Sequence, residues 1–599
     1  MPFPFAPPLT DIRFVLTRLI GIDKLTALPG YESTGEDIID AVLTEAGKIA
    51  SEIFAPLNDV GDKNGIKFSN DKITMPQGFG DAYRAFIDGG WNGLQVEEEF
   101  GGQGLPSLIG MSVFEMLQAA NVALALCPML NGGAIELLSA HGDEATKKKY
   151  LPKLVSGEWG GTMNLTESQA GSDVGAVKSK AVKEGDHYRV TGQKIFISYG
   201  DHDMVENIMH LVLARLPDAP EGTRGLSLFL VPKILVNDDG SLGEFNDVRV
   251  VSVEHKLGQH SSPTCVMAFG DKGGSVGYLI GQENGGIAAM FTMMNNARLN
   301  VGVQGLGLME RSYQHARDYA KFRVQSRSVE DPKGAPVTII HHPDVRRMLM
   351  TMKSYTEAAR AVAYACGFAI DTAKRSTDAT QKAQASARVN LLTPIVKAWT
   401  TEIANEITSL GVQVLGGVGY VEEAGAAQHM RDARVLTIYE GTTGIQAHDL
   451  TFRKLIHDQG AAFRAMTDEI SALLDTWPAD APENFAIMHE NLSHALAALM
   501  DAAVWLLQNG KTNPGLTAAS ATSFLRLFGN TLGGYFLVRS ALLAQQDLTA
   551  KQGDGEFLAT KIVTARFYAT NILPQSVGLA EIIRQGAAST LETTEATFN

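Results

Sequence analysis

Glu440 stands in the segment Met430–Gln446, MRDARVLTIYEGTTGIQ, in a loop between Tyr439 and Gly441. Its neighbours in sequence include Val435, Leu436, Ile438 and Ile445. A carboxylate among apolar residues loses solvation and its pKa rises, which suits a general base working near neutral pH. The alternative is a solvated loop carboxylate. Far upstream, Asn164–Ala176 reads NLTESQAGSDVGA. Here Ala170 and Gly171 let the backbone approach a ligand, while the hydroxyls of Thr166, Ser168 and Ser172 and the backbone N–H groups can donate to heteroatoms or phosphate. The same residues would equally make an ordinary polar loop leading into a β domain. Next comes Lys194–Gly200, KIFISYG, the end of a strand. Phe196 and Ser198, two residues apart, share a strand face. That face could cover a flat ring and donate a hydrogen bond, or be simply half-buried. Gln413–Tyr420, QVLGGVGY, is a helix end rich in glycine.

Such segments need a scaffold to hold them, and the hydrophobic pattern describes one. GEDIIDAVLTEAGKIASEIFAPL and SLIGMSVFEMLQAANVALAL place apolar residues at helical spacing, which predicts a helical domain over 35–160. Gly101, Gly102, Gly104 and Pro106 mark a loop between them. From about residue 161 the runs shorten: HYRVTGQKIFIS, HLVLARL, GLSLFLVPK and DVRVVSV predict an antiparallel β domain, closed by DKGGSVGYLIGQENGG near residue 280. Helical periodicity returns near Ile287. Three long segments over 281–450 are most economically buried in a four-helix bundle. Residues 451–599 are helical in pattern again, with a break at TWPADAPENF, and residues 1–34 form an N-terminal extension. The stretch HALAALMDAAVWLLQ carries Asp501 and reads as a buried helix. The expected class is mainly α with a central β domain. No GxGxxG follows a strand, so a dinucleotide-binding βα sheet is disfavoured. GVQGLG at residues 302–307 has the wrong spacing and lies inside a helix, where its glycines would allow close helix packing.

Composition narrows the function classes. A chain of 599 residues is too long for one core. With 45% hydrophobic and 20% charged residues it reads as soluble and globular. A net charge of -15 argues against a nucleic-acid partner and an anionic membrane surface. Cys127, Cys265 and Cys366 match no zinc spacing and read as reduced core thiols, with no metal expected and a cytoplasmic setting. The N-terminus lacks a basic region followed by a long apolar one, and no uninterrupted apolar stretch of about 20 residues suggests a membrane span.

Taken in order, the motifs resemble those of the acyl-CoA dehydrogenase family over about residues 35–450. NLTESQAGSD is similar to the family's flavin loop, and KIFIS stands where the family usually carries Trp-Ile-Thr or Trp-Ile-Ser. QVLGGVGY and YEGTTGIQ are similar to its C-terminal pair of motifs. The resemblance implies that fold, with an extra helical domain over 451–599, and FAD as cofactor. Leu165, Thr166 and Ser172 stand where the family's loop contacts the flavin and its pyrophosphate. Phe196, Ile197 and Ser198 stand where the strand covers the ring. Arg323 and Gln325, with Gln413, Gly416 and Gly417, stand where a neighbouring subunit shares the ADP half, which implies a homodimer or higher homo-oligomer. Thr442 and Thr443 should also touch the cofactor, while Gly444 replaces a Gln of many members. For the substrate, the resemblance points to Ser172, Asn295, Tyr439 and Gly441, and to Arg298 near the CoA phosphates, where a bundle ion pair is the alternative. Glu440 matches the catalytic base. The other position that bears the base in some members is Ala297 here, which cannot act.

This resemblance implies that Glu440 takes the α-proton, that the β-hydrogen leaves as hydride to the flavin, and that the product is a trans-2-enoyl-CoA. Electrons would pass to electron-transfer flavoprotein. The overall layout, with TDIRFVL near the start and YEGTTGIQAHDL, resembles a bacterial subgroup with an extra C-terminal helical domain, which implies 3-(methylthio)propanoyl-CoA as substrate and 3-(methylthio)acryloyl-CoA as product, in dimethylsulfoniopropionate catabolism. A plain short- or medium-chain substrate is the alternative, since sulfur and methylene fill an apolar pocket alike. An acyl-CoA oxidase or a DNA-associated relative would share the fold, the second disfavoured by the acidic tail. A membrane-attached enzyme would need a basic amphipathic helix, which the C-terminal region lacks.

Overall fold

The computed structural model describes residues 4–599. The chain forms two compact units: residues 1–47, 107–119 and 301–599 make one, and residues 48–106 and 120–300 the other.

In the second unit an eight-stranded sheet is built around the long strand His187–Ser198. Its twelve residues are enough to pair with Ser275–Ile280 through the first part and with Thr264–Phe269 through the second. Leu226–Pro232, Asn207–Arg215 and Trp159–Asn164 continue the sheet on one side, and Val248–Val253 closes the other. The pairing is antiparallel except along Asn207–Arg215, which runs parallel to Trp159–Asn164 at the edge and meets Lys180 of Lys180–Glu184 in parallel at Arg215. A parallel neighbour needs a long crossover, and the loop and hairpin between Asn164 and Asn207 provide it. Met209, Leu211, Leu213, Leu228 and Leu230 face a core completed by Leu138, Leu154, Trp159 and Met293.

Helix Val122–His141 covers that core. Asn121 caps it by accepting the Leu124 N–H at 3.1 Å. By length and mean hydropathy this helix could span a membrane, but Asn131 and Glu136 interrupt its apolar run and 83% of its most apolar window is buried inside the protein. It is hydrophobic all round because neighbours surround it.

The first unit is helical. Gly286–Phe322 enters it at Val301, and Pro343–Arg375 and Ala379–Pro394 follow. The last continues through a π-helical turn, Ile395–Trp399, into Thr400–Leu415. The glycines of GVQGLG have the packing role expected of them. A Cβ on Gly302 would stand 2.4 Å from the Val396 carbonyl oxygen, and one on Gly307 would stand 2.7 Å from the Ala119 backbone nitrogen. Only glycine lets these backbones meet.

The C-terminal helices are bolted to this bundle rather than tethered beside it. Pro514–Ala550 seats Gly529 on Trp399, where a Cβ would lie 2.2 Å from the indole, and Trp399 donates its ring N–H to Asn530 at 3.0 Å. Helix Ala486–Asn509 buries one face, with Asp501 on the exposed one. The N-terminal extension docks as well. Helix Leu9–Phe14 delivers Asp11 to a buried charge cluster, where Arg360 donates to Asp11 at 2.5 Å, to Glu310 at 2.7 Å and to Glu115 at 2.6 Å. Lys561, from the C-terminal region, donates to Asp11 at 2.6 Å and to Glu357 at 2.7 Å. Burial opposes ionisation of Asp11, yet Lys561 and Arg360 hold its carboxyl well below the usual range. Five stretches far apart in sequence are thereby joined by charges that cannot lose a partner cheaply.

Candidate functional site

The residues singled out by sequence divide between the two units. In the second, the loop after Trp159–Asn164 is fixed from beneath by a buried ion pair. Lys194 is fully buried and donates to Glu167 at 2.8 Å and to the Leu165 carbonyl at 3.0 Å. Glu167 also accepts from the Ser179 hydroxyl at 2.6 Å and from the N–H groups of Lys178 and Ser179. Burial alone would raise the Glu167 pKa, but Lys194 and these donors hold it down at about 2. Burial draws the Lys194 ammonium down to about 8, against the pull of Glu167. The backbone of the loop is tied to the strand where Ile195 donates to the Thr166 carbonyl at 2.9 Å. Thr166 is thus set beside the KIFIS segment.

That segment does not alternate regularly. The register with Thr264–Phe269 slips between Cys265 and Met267, and Phe196 has φ +58°. A bulge of this kind re-aims a side chain. Phe196 is 59% exposed, Ile197 is buried and Ser198 is half-buried. An exposed aromatic side chain in a segment that also carries the half-buried Ser198, tied to the half-buried Thr166 and pinned by Lys194, fits a flat heteroaromatic ring with polar edges. Leu165 is buried beneath, and Ser172 is exposed at the loop's far end next to Gly171, around which nothing lies within 4 Å of a Cβ. Asn295 is exposed on helix Gly286–Phe322 and accepts from Arg298 at 3.3 Å, while the Arg298 guanidinium lies 5.8 Å from the Phe291 ring centre. Ala297 is buried.

In the first unit, Glu440 is half-buried with φ +54°, and Gly441 follows at φ +92°. A Cβ on Gly441 would stand 2.5 Å from the Gln446 amide nitrogen, so the second position needs glycine. Two consecutive left-handed residues must be held, and Lys397 holds them. This fully buried lysine comes from the π-helical turn and donates to the Leu436 carbonyl at 2.9 Å and to the Gly441 carbonyl at 2.5 Å, spanning the base of the loop. Gln446 donates to the Glu440 carbonyl at 3.3 Å. Thr442 caps the helix Thr443–His448 by accepting the Ile445 N–H at 3.2 Å. Thr443 donates to Glu402 at 2.5 Å. Tyr439 donates its hydroxyl to Gln304, which is fully buried on helix Gly286–Phe322. Of the apolar neighbours, Leu436 is buried whereas Ile438 and Ile445 are exposed. Gln413, Gly416 and Gly417 are exposed at the end of Thr400–Leu415, with open space where Cβ atoms on the two glycines would project. Arg323 donates to Gln325 at 3.3 Å on an exposed hairpin.

Lys397, Gln304 and Glu402 were not evident from sequence. Lys397 sits in IVKAW, whose apolar surroundings mark a core helix. The only signal was a lysine where burial was expected, which requires paired acceptors. The cysteines are as expected: Cys127, Cys265 and Cys366 are buried and free, and burial pushes each thiol up.

Comparison with known proteins places this geometry. Family models described as the acyl-CoA dehydrogenase N-terminal, middle and C-terminal domains match residues 42–158, 162–271 and 284–454. A fourth, "Acetyl-CoA dehydrogenase C-terminal like", matches residues 466–594. The chain is 44% identical to a 3-methylmercaptopropionyl-CoA dehydrogenase of Ruegeria pomeroyi, over 95% of this chain and 96% of that one. It is 35% identical to a butyryl-CoA dehydrogenase of Syntrophomonas wolfei over 98% of each. The fold is shared with an acyl-CoA dehydrogenase from Bacillus anthracis in complex with FAD, with a TM-score of 0.74, 18% identity and coverage of 96% of this chain and 92% of that one. The chain belongs to the acyl-CoA dehydrogenase family and is an FAD-dependent oxidoreductase acting on acyl-CoA.

Proposed function

We propose that the protein dehydrogenates 3-(methylthio)propanoyl-CoA to 3-(methylthio)acryloyl-CoA, with Glu440 as the base. The observation that carries the substrate is the 44% identity to the Ruegeria pomeroyi enzyme across nearly the whole of both chains. The 35% identity to a butyryl-CoA dehydrogenase over similar lengths supports a plain short-chain substrate as the second reading. FAD, when bound, supplies the acceptor for the β-hydrogen and two electrons.

This chain's residues do the rest. Glu440 removes the α-proton and becomes the carboxylic acid. Its backbone N–H donates to the thioester carbonyl, on which negative charge grows as the proton leaves. Lys397 keeps that loop in its left-handed turn. Arg298, steadied by Asn295, meets a CoA phosphate, and Ser172, Tyr439 and Gly441 line the acyl thioester. Leu165, Thr166, Ser172, Phe196, Ile197 and Ser198 hold the flavin side of the cofactor, with Thr442 and Thr443. Arg323, Gln325, Gln413, Gly416 and Gly417 hold the ADP half in a homodimer or higher homo-oligomer. Electron-transfer flavoprotein takes the electrons, and the enzyme works in the cytoplasm as four consecutive domains behind a short N-terminal extension.

Acceptor-linked dehydrogenation across propanoyl-, butanoyl-, hexanoyl-, octanoyl- and 3-(methylthio)propanoyl-CoA tests the substrate. The highest kcat/KM is expected for the thioether. A clear maximum at butanoyl-CoA would replace it with the second reading, and turnover on oxygen alone would make the protein an oxidase.

A further inference from the structure

Gln304 lies fully buried on helix Gly286–Phe322, three residues before Gly307 and so on the same face. It accepts from Tyr439, the residue before Glu440, and its amide nitrogen has no hydrogen-bond partner among the described residues. Reversing the amide would not help. The nitrogen would then donate one proton to the tyrosine oxygen, and the second N–H would still be unpaired. Gln118 adds to this. It is fully buried on helix Ser107–Ala120, its Cβ lies 3.0 Å from where a Cβ on Gly307 would stand, and neither its nitrogen nor its oxygen has a partner among the described residues. Two buried amides with nitrogens unpaired by the described protein groups therefore flank one turn of a single helix, and one of them bonds the tyrosine that precedes the proposed base. A buried amide without a partner is costly, and a fold that keeps two side by side gains when a ligand supplies the missing acceptor.

The acyl chain is the ligand that comes nearest Glu440. In 3-(methylthio)propanoyl-CoA the sulfur is bonded to the β-carbon, next to the carbon that loses its proton. A thioether sulfur accepts a weak hydrogen bond, whereas a methylene in its place accepts none. We propose that the Gln304 amide, with Gln118 beside it, donates an N–H to the sulfur of the acyl chain and so selects the thioether over its methylene analogue. This rests on the substrate and the role of Glu440 assigned above.

Pentanoyl-CoA has the same chain length with CH2 in place of S, so the ratio of kcat/KM for the two thioesters reads the contact and cancels any general loss of activity. The full-length, flavin-loaded enzyme is compared with Gln304→Met and with Gln118→Met, which keep side-chain length and remove the amide. The wild-type ratio favours the thioether, and it falls about fivefold to tenfold in Gln304→Met, the worth of one neutral hydrogen bond. Should that variant fail to fold, Gln118→Met decides on its own, because there too the ratio must fall. An unchanged ratio in the folded variants means that the amides are satisfied by water, and overturns this inference while leaving the substrate assignment standing. A wild-type ratio at or below about one overturns the substrate assignment itself.

Discussion

Replacing Lys397 with methionine removes the clamp beneath the proposed base while keeping side-chain length. The ammonium makes two charge-assisted hydrogen bonds, to Leu436 and Gly441, at 2.9 and 2.5 Å. Bonds to a charged group are each worth about 1.5–3 kcal/mol net. Methionine also spares the cost of burying a charge, so the loss is smaller than the sum, about 2–3 kcal/mol. That loss acts on a loop already holding Glu440 and Gly441 at positive φ, where the non-glycine residue carries a strain of about 1–2 kcal/mol. The left-handed turn relaxes, and the productive arrangement becomes about 30- to 140-fold rarer. The expected result is a fall of that size in kcat, with KM for the acyl-CoA little changed and flavin content preserved. Steady-state kinetics with an artificial acceptor reads the first two, and visible absorbance reads the third. A variant with wild-type kcat would refute the clamp, as would a loss confined to KM.

The remaining predictions concern the supports around the site. Gly441→Ala forces a side chain into a left-handed position and against Gln446; it should lower kcat at least tenfold and stability by about 1–2 kcal/mol, measured by urea unfolding. Glu167→Gln leaves the buried Lys194 ammonium without its carboxylate and should cost about 3–5 kcal/mol, with flavin lost on gel filtration. The Glu167 pKa lies below its unfolded value, so its contribution is complete above about pH 4.5 and is lost as pH falls toward 2. Acid unfolding followed by circular dichroism should show this component in the wild type and not in Glu167→Gln. Arg360→Met strands Glu115 and Glu310 and leaves Asp11 with Lys561 alone, and should destabilise the helical unit by about 3–5 kcal/mol, seen as a lowered urea midpoint.

Whatever depends on contiguous residues was legible in the sequence. The YEGTTG loop, the NLTESQAGSD loop and the KIFIS strand each carry their signal within about ten positions, and the helical and strand periods around them gave the order of the layers. The GVQGLG glycines were also legible, because spacing ruled out a nucleotide loop and left helix packing. Contacts between distant segments were not. Lys397 and Gly441 are brought together only by the fold, as are Tyr439 and Gln304 or Arg360 and Asp11. The bulge at Phe196 was hidden because alternation alone would bury Phe196 with Lys194 and expose Ile197, the reverse of what the strand does. Helix Val122–His141 is legible only in its first turns, because Pro128, two glycines, Asn131 and Glu136 interrupt the apolar run beyond them. The thioether was indistinguishable from a methylene by residue type, and became a question of two unpaired amides only in three dimensions.

The central claim is that Glu440 takes the α-proton. The most direct measurement is turnover of purified, flavin-loaded Glu440→Gln with 3-(methylthio)propanoyl-CoA, alongside a binding titration of the same thioester. Glutamine keeps the shape of the loop and cannot accept the proton. Binding close to wild type with a loss of turnover of about 10²–10⁴-fold or more is the expected result. Wild-type-like turnover in that variant would contradict it.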